Sequence, residues 1–535
     1  MLLGHIDRPV RSSSSLRVTT FRVRVTKSAK CCKKGLKGYR ANSRPSICEA
    51  IVPICSMKSN NKSLAPQTAE RDSIIVCRTS QGYSVRATPL RITRDVVAFE
   101  VYNPYSILQL SEVLKEFRII VNDHLIYSGR ATVSSLVNTG SMLVCEATLD
   151  EAWLDVDLFA LVTEPKKLRA DFTDFLKEWE RINIILPQYK VVLADMQNYF
   201  IDLKRWLEQV ELGIRSSPST DRLKTEFEVV HELAPTILPT IDSLFTRFEE
   251  IAGEVPEDLL PFHRTYAKRQ LHPQLLCSPF AYRTYQKPLG YAGDYEMVNM
   301  ILRDPLEGSS LFSKIVNSWF LSQRPAEAHR NRIGYLTKVI VKETHRVACK
   351  GHLARIFNLG CGPAGEVQNF LVQDEVCNDS SFVLLDFNDE TLQHTKEVLA
   401  DLKSRLNRQT KIEVVKKSVH QVLREAIKPG AYQPRYDLIY CAGVFDYLSD
   451  RICKRLMDIF YAMLEPGGFL VATNIDASNP SRNGMEYLLD WHLIHRNSTQ
   501  LSTLIPERAA LESVEVKSDE TGVNIYIEVR KPHEN

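Results

Sequence analysis

The stretch Arg355-Ile-Phe-Asn-Leu-Gly-Cys-Gly-Pro-Ala-Gly-Glu366 constrains this chain more than any other. Ile356, Phe357 and Leu359 form an apolar run that breaks into glycines and then into the helix-periodic Val367-Gln-Asn-Phe-Leu371. Consecutive apolar positions suit a strand buried on both faces. Gly360 and Gly362 permit a tight turn and close backbone approach, and a helix starting there leaves N–H groups unpaired at its mouth. This reads as a nucleotide-cofactor loop. A glycine turn also arises for steric reasons alone, so the downstream sequence has to decide.

Downstream, strands and helices alternate as in a βαβ series. Phe382–Phe387 reads as a second strand, 390–406 as a helix, Ile412–Val415 as a third strand and 419–426 as a short helix. Tyr436-Asp-Leu-Ile-Tyr-Cys is a fourth strand running into Ala-Gly-Val-Phe-Asp-Tyr447, and 456–464 is helical. Glu465-Pro-Gly-Gly468 is a turn, Phe469–Asn474 a fifth strand, and Ser513–Val516 with Val523–Val529 a closing hairpin. Asp386 ends the second strand, at about the 20-residue offset past the glycines where nucleotide-binding α/β folds place a ribose-binding acid.

These motifs together resemble a class I S-adenosylmethionine-dependent methyltransferase over about Arg332 to Lys531: Gly360-Cys-Gly-Pro, Asp386, Tyr436-Asp-Leu-Ile and Leu464-Glu-Pro-Gly-Gly-Phe-Leu. More narrowly, the chain from about Ser73 to Lys531 resembles the proteins that make 3-hydroxypalmitic acid methyl ester, an extracellular factor. The pieces are Lys287-Pro-Leu-Gly-Tyr-Ala-Gly-Asp-Tyr295, His329-Arg-Asn-Arg332, Gly360–Ala364, Cys441–Tyr447 and Glu486-Tyr-Leu-Leu-Asp-Trp-His492. The resemblance implies a multidomain α/β protein. A C-terminal seven-stranded Rossmann-like sheet with helices on both faces follows a small β-barrel and a helical connector.

It further implies S-adenosyl-L-methionine as cofactor, held by Asn358, Gly360, Cys361, Gly362, Pro363, Asp386, Phe387, Ser418, Ala442 and Gly443, and no metal. The implied acceptor is a small molecule, a fatty-acid carboxylate. Tyr291, Asp294, Asp446 and His492 are the catalytic candidates. A carboxylate is already ionised at neutral pH and needs clamps rather than a strong base; Tyr285, Lys287, Tyr291, Arg330, Arg332, His492 and Arg496 are candidates. A hydroxyl or amine acceptor would instead need His492, Asp446 or Asp294 as base. Two positions depart from the family. Asn358 stands where an acid usually meets the methionine ammonium, with Glu366 and Asp446 the carboxylates able to compensate, and Ala364 replaces the usual third glycine. Asn358 also keeps open a non-catalytic ligand sensor, and methylation of an unrelated small molecule or protein is a further alternative.

The rest of the chain divides by pattern. From Ser73 to Asp157, runs at 74–77, 96–101, 117–121, 125–127, 130–133 and 142–147 indicate a small β-barrel or sandwich over 71–160. It resembles PilZ domains in its strand sequence. Arg91 and Arg94 lie at another spacing than the family's arginine pair, and the later PilZ motif is missing, so a structural role competes with cyclic-dinucleotide binding. Residues 165–275 read as helices. One is centred on Phe172–Ile184, a longer one runs from Val191 to Val210 with Trp206 in its apolar stripe, and a third is interrupted by Pro235 and Pro239. Such stripes are core packing first, or a homodimer contact. Residues 276–345, with four tyrosines between Tyr282 and Tyr295, suit an active-site lid leading into the catalytic domain at 346–535.

Twelve basic residues crowd the first 44 positions, beside Ser12–Ser15. Residues 1–70 are therefore expected to be a disordered or targeting segment, unless translation starts at Met57. Overall, 68 Lys and Arg against 65 Asp and Glu give no electrostatic reason to expect a nucleic-acid partner. Twelve cysteines without metal-ligand spacing suggest a reducing compartment, hence the cytoplasm, or an organelle if residues 1–56 are genuine. No apolar run reaches the roughly 20 residues that cross a bilayer.

Overall fold

The computed structural model describes residues 73–93, 95–102, 108–121, 124–138, 142–150, 185–216, 221–426 and 435–533, with isolated helical positions at 169, 173 and 176. The basic N-terminal segment, Arg94 and most of the expected helix around Phe172–Ile184 lie outside these residues.

Strands β1 (Ile74–Arg78), β2 (Ser84–Ile92), β3 (Val96–Tyr102), β4 (Val113–Val121), β5 (His124–Asn138) and β6 (Met142–Leu149) close into an antiparallel barrel in the order β1-β2-β3-β6-β5-β4. Alternate residues point inward, so Ile75 and Cys77, Val97, Phe99 and Val101, and Phe117 and Ile119 make its core. Strand β2 was not legible in the sequence because only Val85 and Ala87 are fully buried and Pro89 interrupts it. The ladder shifts register between Pro89 and Arg91, where a missing N–H is tolerated. The two runs at 125–127 and 130–133 form one 15-residue strand, β5.

Helices α1 (Pro187–Ser216), α2 (Arg222–Gly253), α3 (Leu260–Leu275), α4 (Pro279–Gln286), α5 (Tyr295–Leu302) and α6 (Leu311–Ser322) follow. The expectation of a break at Pro235 and Pro239 is corrected: α2 runs through both for 32 residues. The prolines are four apart and exposed, so the carbonyls they leave without a donor lie on the outer side of the helix. Its inner side buries Ile241, Phe245 and Phe248 against Tyr189, Met196 and Phe200 of α1 and Trp319 of α6. The same core takes in Tyr487, Leu488 and Leu489 from near the C-terminus. Trp206 is 52% exposed and lies off the buried stripe. The expected tyrosine-rich loop is helical in its first half, where Ser278 caps α4 by accepting from Ala281 N–H.

The long α7 (Arg324–Ala348) leads into β7 (Ala354–Leu359), α8 (Gly365–Gln373), β8 (Ser380–Asp386), α9 (Asp389–Arg405), β9 (Lys411–Lys416), α10 (Val419–Glu425), β10 (Tyr436–Cys441), α11 (Asp450–Met463), β11 (Leu464–Ile475), α12 (Arg482–Leu488), α13 (Ser498–Ser502), β12 (Val514–Ser518) and β13 (Asn524–Arg530). The seven strands form one mixed sheet, β12-β13-β11-β10-β7-β8-β9, parallel from β11 to β9 and antiparallel at β13. Helices cover both faces, and β7 shows why its sequence carries apolar residues at successive positions. Ile356 packs with Leu336, Val367 and Phe370 on one face, while Phe357 and Leu359 pack with Leu456, Met457 and Phe460 on the other. Each such buried side chain contributes about 1.5–3 kcal/mol relative to exposure. The chain leaves β7 towards β8 on one side and returns to β10 on the other, so a crevice opens between the carboxyl ends of β7 and β10. In open α/β sheets that reversal point is where ligands bind.

Candidate functional site

A cavity of about 200 Å³ occupies this crevice. All ten residues expected around a cofactor line it: Asn358, Gly360, Cys361, Gly362 and Pro363 after β7, Asp386 and Phe387 after β8, Ser418 after β9, and Ala442 and Gly443 after β10. The turn after β7 is fixed by the N–H groups of Gly360 and Cys361, which both donate to the Leu385 carbonyl, at 2.8 and 2.9 Å. This brings Asp386 beside the turn, where its carboxylate accepts from Gly362 N–H at 3.2 Å and Asn388 N–H at 3.0 Å. Gly360 has φ +77°, and a Cβ there would stand 2.3 Å from Val444 Cγ2. The two loops therefore touch only because residue 360 is glycine. Ala364, by contrast, holds φ +53° despite its Cβ, a conformation that costs an L-residue roughly 1–2 kcal/mol.

The electrostatics centre on Asn358. Its Oδ1 is buried with no hydrogen-bond partner. Tyr440, its register neighbour on β10, donates its hydroxyl to Glu366 Oε1 at 2.7 Å. Glu366, in the first turn of α8, also lines the cavity, and burial raises its pKa although the Tyr440 bond opposes the rise. The carboxyl group missing at 358 is thus available one side chain away, on Glu366. Burial raises Asp386 as well, against the pull of its backbone donors. Asp446 is pushed up to about 6 by burial, opposed by Arg332 and by Ile475 N–H at 2.7 Å.

Tyr291 and Asp446 line the same cavity; Asp294 and His492 do not. Tyr291 has its ring 4.9 Å from that of Phe387 and its hydroxyl 3.3 Å from Thr391 Oγ1. Asp294 caps α5, accepting from Met297 N–H at 2.8 Å and pairing with Arg283 at 2.9 Å, so its oxygens are engaged in structure. His492 lines an adjoining cavity and is held neutral by burial, its pKa lowered to about 3.

Most of the expected anion clamps are also structural. Buried Lys287 donates to the Leu489 carbonyl at 2.9 Å, and Arg330 to the carbonyls of Leu321 and Ile301 at 3.0 and 3.2 Å. Arg496 is taken up by the Phe445 and Leu448 carbonyls, Asn474 and Asp450. Tyr285 packs its ring 4.5 Å from that of His272 and does not reach the cavity. Arg332 does reach it: a Cβ at Gly443 would lie 3.2 Å from its Nη1, so its guanidinium lies over that turn.

Sequence reasoning missed the barrel's part in the site. Gln81 and Gln109, from two barrel loops, line the crevice. Ser111 Oγ donates to the His492 carbonyl at 2.9 Å and accepts from its N–H, while Val113 N–H donates to the Gly290 carbonyl at 2.7 Å, next to Tyr291. No local pattern announces contacts across such sequence distances. Arg91, a candidate for nucleotide binding by the barrel, pairs with Glu146 at 2.9 Å. Among the described residues, no cluster of three or more His, Cys, Asp or Glu is placed to hold a metal ion, and no helix is long and apolar enough to cross a membrane.

No protein-family model matches the chain, and no curated protein does. Solved structures do. A possible exported protein from Bordetella parapertussis is 18% identical over 47% of this chain and 86% of its own, with a TM-score of 0.34. The magnesium protoporphyrin IX methyltransferase of Synechocystis PCC 6803 with bound SAH is 8% identical over 50% and 99%, with a TM-score of 0.30. The N-methyltransferase NodS of Bradyrhizobium japonicum WM9 in complex with S-adenosyl-L-homocysteine is 15% identical over 47% and 100%, with a TM-score of 0.27. Likeness at this level carries no functional argument, which falls instead to the groups gathered at the β7/β10 crevice.

Proposed function

We propose that this chain is an S-adenosyl-L-methionine-dependent methyltransferase acting on the carboxylate of a long-chain, 3-hydroxy fatty acid. The observation that carries the reading is the set of groups at the β7/β10 crevice: the Asp386 carboxylate, the glycine turn, and the unpaired Asn358 Oδ1 beside Glu366. They fit the cofactor piece by piece. Asp386 accepts from the ribose hydroxyls, Gly360 and Gly362 let the backbone approach, and Asn358 and Glu366 together receive the methionine ammonium. When bound, S-adenosyl-L-methionine would supply an electrophilic methyl on its sulfonium sulfur, to be taken by an oxygen nucleophile with the bonding pair left on sulfur.

The remaining work is alignment and exclusion of water. Tyr291, Ala292 and Gly293 line the crevice. Arg332 is the cation that orients an acceptor carboxylate, and no general base is needed. For a hydroxyl acceptor, Asp446 is the better base: it titrates at about 6 and lines the crevice, whereas Asp294 is engaged as a cap.

Calorimetry with S-adenosylmethionine followed by turnover on long-chain 3-hydroxy acids tests the reading. Binding with methyl-ester formation is expected. Tight binding with no turnover on any acceptor would favour the second reading, a ligand sensor, to which the amide at Asn358 lends support.

A further inference from the structure

Another cavity, of about 590 Å³, opens off the crevice among the helices that precede α7. Its size falls within the roughly 300–1,000 Å³ of small-molecule pockets. Phe245 of α2, Phe280 of α4, Trp319 and Phe320 of α6 and Leu488 of α12 give it apolar walls. Aromatic packing fixes them: the Phe245 and Trp319 rings lie 4.0 Å apart, and those of Trp319 and Phe320 4.8 Å. Pro325, His329, Met485 and Trp491 line both spaces, so the two meet there.

The acids along these walls are engaged in structure. Asp242 accepts from Trp319 Nε1 at 2.8 Å and Gln323 Nε2 at 3.0 Å, and Glu249 accepts from the N–H groups of Asn483 and Gly484 at 2.9 and 2.6 Å. Glu250 and Arg324, which also line the cavity, are exposed to solvent. The titratable group at the inner end, where the cavity meets the crevice, is His329.

Helix α7 sets His329 at that junction. Pro325, Ala328, His329, Arg332, Ile333 and Leu336 recur at helical spacing and all line the crevice, so one face of the helix is turned to it. Arg332 Nη2 lies 2.9 Å from His329 Nδ1 and 3.3 Å from its Nε2. A guanidinium can only donate, so the ring nitrogen it meets must accept. The shorter contact puts acceptance at Nδ1 and leaves the proton on Nε2. Burial, then Arg332 and Arg330, hold the imidazole's pKa well below its ordinary value, so the ring is neutral. With its lone pair taken up by Arg332, it donates to a guest and does not serve as a base.

We propose that the aromatic-walled cavity receives the apolar body of the methyl acceptor, and that His329 Nε2–H and the Arg332 guanidinium hold the acceptor's ionised oxygen at the seam with the crevice. The guest is an apolar organic anion that arrives already deprotonated, since neither group removes a proton. Trp491, which forms part of the seam, is itself fixed: its indole N–H donates to the Tyr447 hydroxyl at 2.9 Å, and that hydroxyl donates to the Ala292 carbonyl at 3.2 Å. The identity of the space as an acceptor site rests on the methyl-transfer reading; binding of an apolar anion does not.

The test is binding of 1-pyrenebutyrate and of its methyl ester to the full chain, with S-adenosylmethionine affinity measured alongside by calorimetry. Energy transfer from tryptophan to pyrene reads it, because Trp319 and Trp491 line the cavity. The parent should bind the acid about tenfold more tightly than the ester, the worth of hydrogen bonding to a charged group. His329→Phe should lose that preference, and His329→Gln, whose amide restores an N–H donor, should keep most of it. Thr246→Trp and Ser481→Trp narrow the cavity from α2 and from the turn before α12, at positions that are not fully buried. Each should weaken both probes about tenfold and leave S-adenosylmethionine affinity unchanged. The proposal is overturned if the parent binds neither probe or binds acid and ester alike, if His329→Phe keeps the preference, or if both tryptophan variants bind as the parent does. Acid-selective binding by a protein that ignores S-adenosylmethionine would instead remove the methyl-transfer reading and leave the anion site standing.

Discussion

The crevice at the end of β7 and the aromatic cavity beside it share four lining residues but are built in opposite ways. The crevice is made by turns that leave consecutive parallel strands, so backbone conformation and a few fixed residues define it, and they recur at set intervals along one stretch of sequence. The cavity is made by side chains from α2, α4 and α6, the start of α7 and the stretch around α12, and tertiary packing alone brings them together. A site specified by backbone is legible from motifs. A site specified by packing is legible only after folding.

The contrast breaks most sharply at Gly360. Gly360→Ala combines an unfavourable φ with a clash against Val444, and should destabilise the protein by about 3 kcal/mol and abolish cofactor binding. Adding Val444→Ala should return the clash component and leave the backbone cost. Denaturant midpoints of the single and double variants measure this; additive losses would show that the loops do not touch.

Next is the charge beside Asn358. Glu366→Gln should weaken S-adenosylmethionine by about 2 kcal/mol, the range of a charge-assisted hydrogen bond, with little effect on methylthioadenosine, which lacks the ammonium. Asn358→Asp in that background should restore most of the loss. Equal weakening of both ligands would place Glu366 elsewhere in the recognition.

A pH titration probes the packed contact with the barrel, where Ser111 bonds the His492 backbone. Burial holds native His492 near 3, against an ordinary value of 6.5. Between those values the native chain binds fewer protons than the unfolded one, so stability falls as pH falls through that window. Between pH 8 and pH 5 the parent should lose about 2 kcal/mol more than His492→Gln. Parallel stability curves would mean that the imidazole is not buried as described. The smallest effect is expected at Ala364. Replacement by glycine relieves its left-handed conformation but adds unfolded-chain entropy, for a net gain of about 0.5 kcal/mol in thermal unfolding. A loss would show that the turn does not carry that strain.

How far the sequence could be read follows from the same division. The βαβ series, Asp386 and the closing hairpin were legible because strands buried on both faces and glycine turns leave periodic, local marks. In the barrel, β2 was lost because it buries only alternate small residues and contains Pro89. Pro235 and Pro239 suggested a break, but they sit on the outer side of a helix whose inner face is anchored by aromatic packing. Asp294 looked catalytic as an acid on a tyrosine-rich loop, a description that fits a helix cap equally well. Gln81 and Gln109 carried no mark at all, since their loops are joined through Ser80 and Glu112 and held to the site through Ser111 and His492, partners distant in sequence.

The most direct measurement is isothermal calorimetry of S-adenosylmethionine against the parent protein and Asp386→Ala. One cofactor per chain, with affinity reduced by about 1–3 kcal/mol in the variant through loss of the carboxylate's hydrogen bonds to ribose, is the expected result. No binding to the parent, or the same affinity in both, would contradict the assignment of the β7/β10 crevice as the cofactor site.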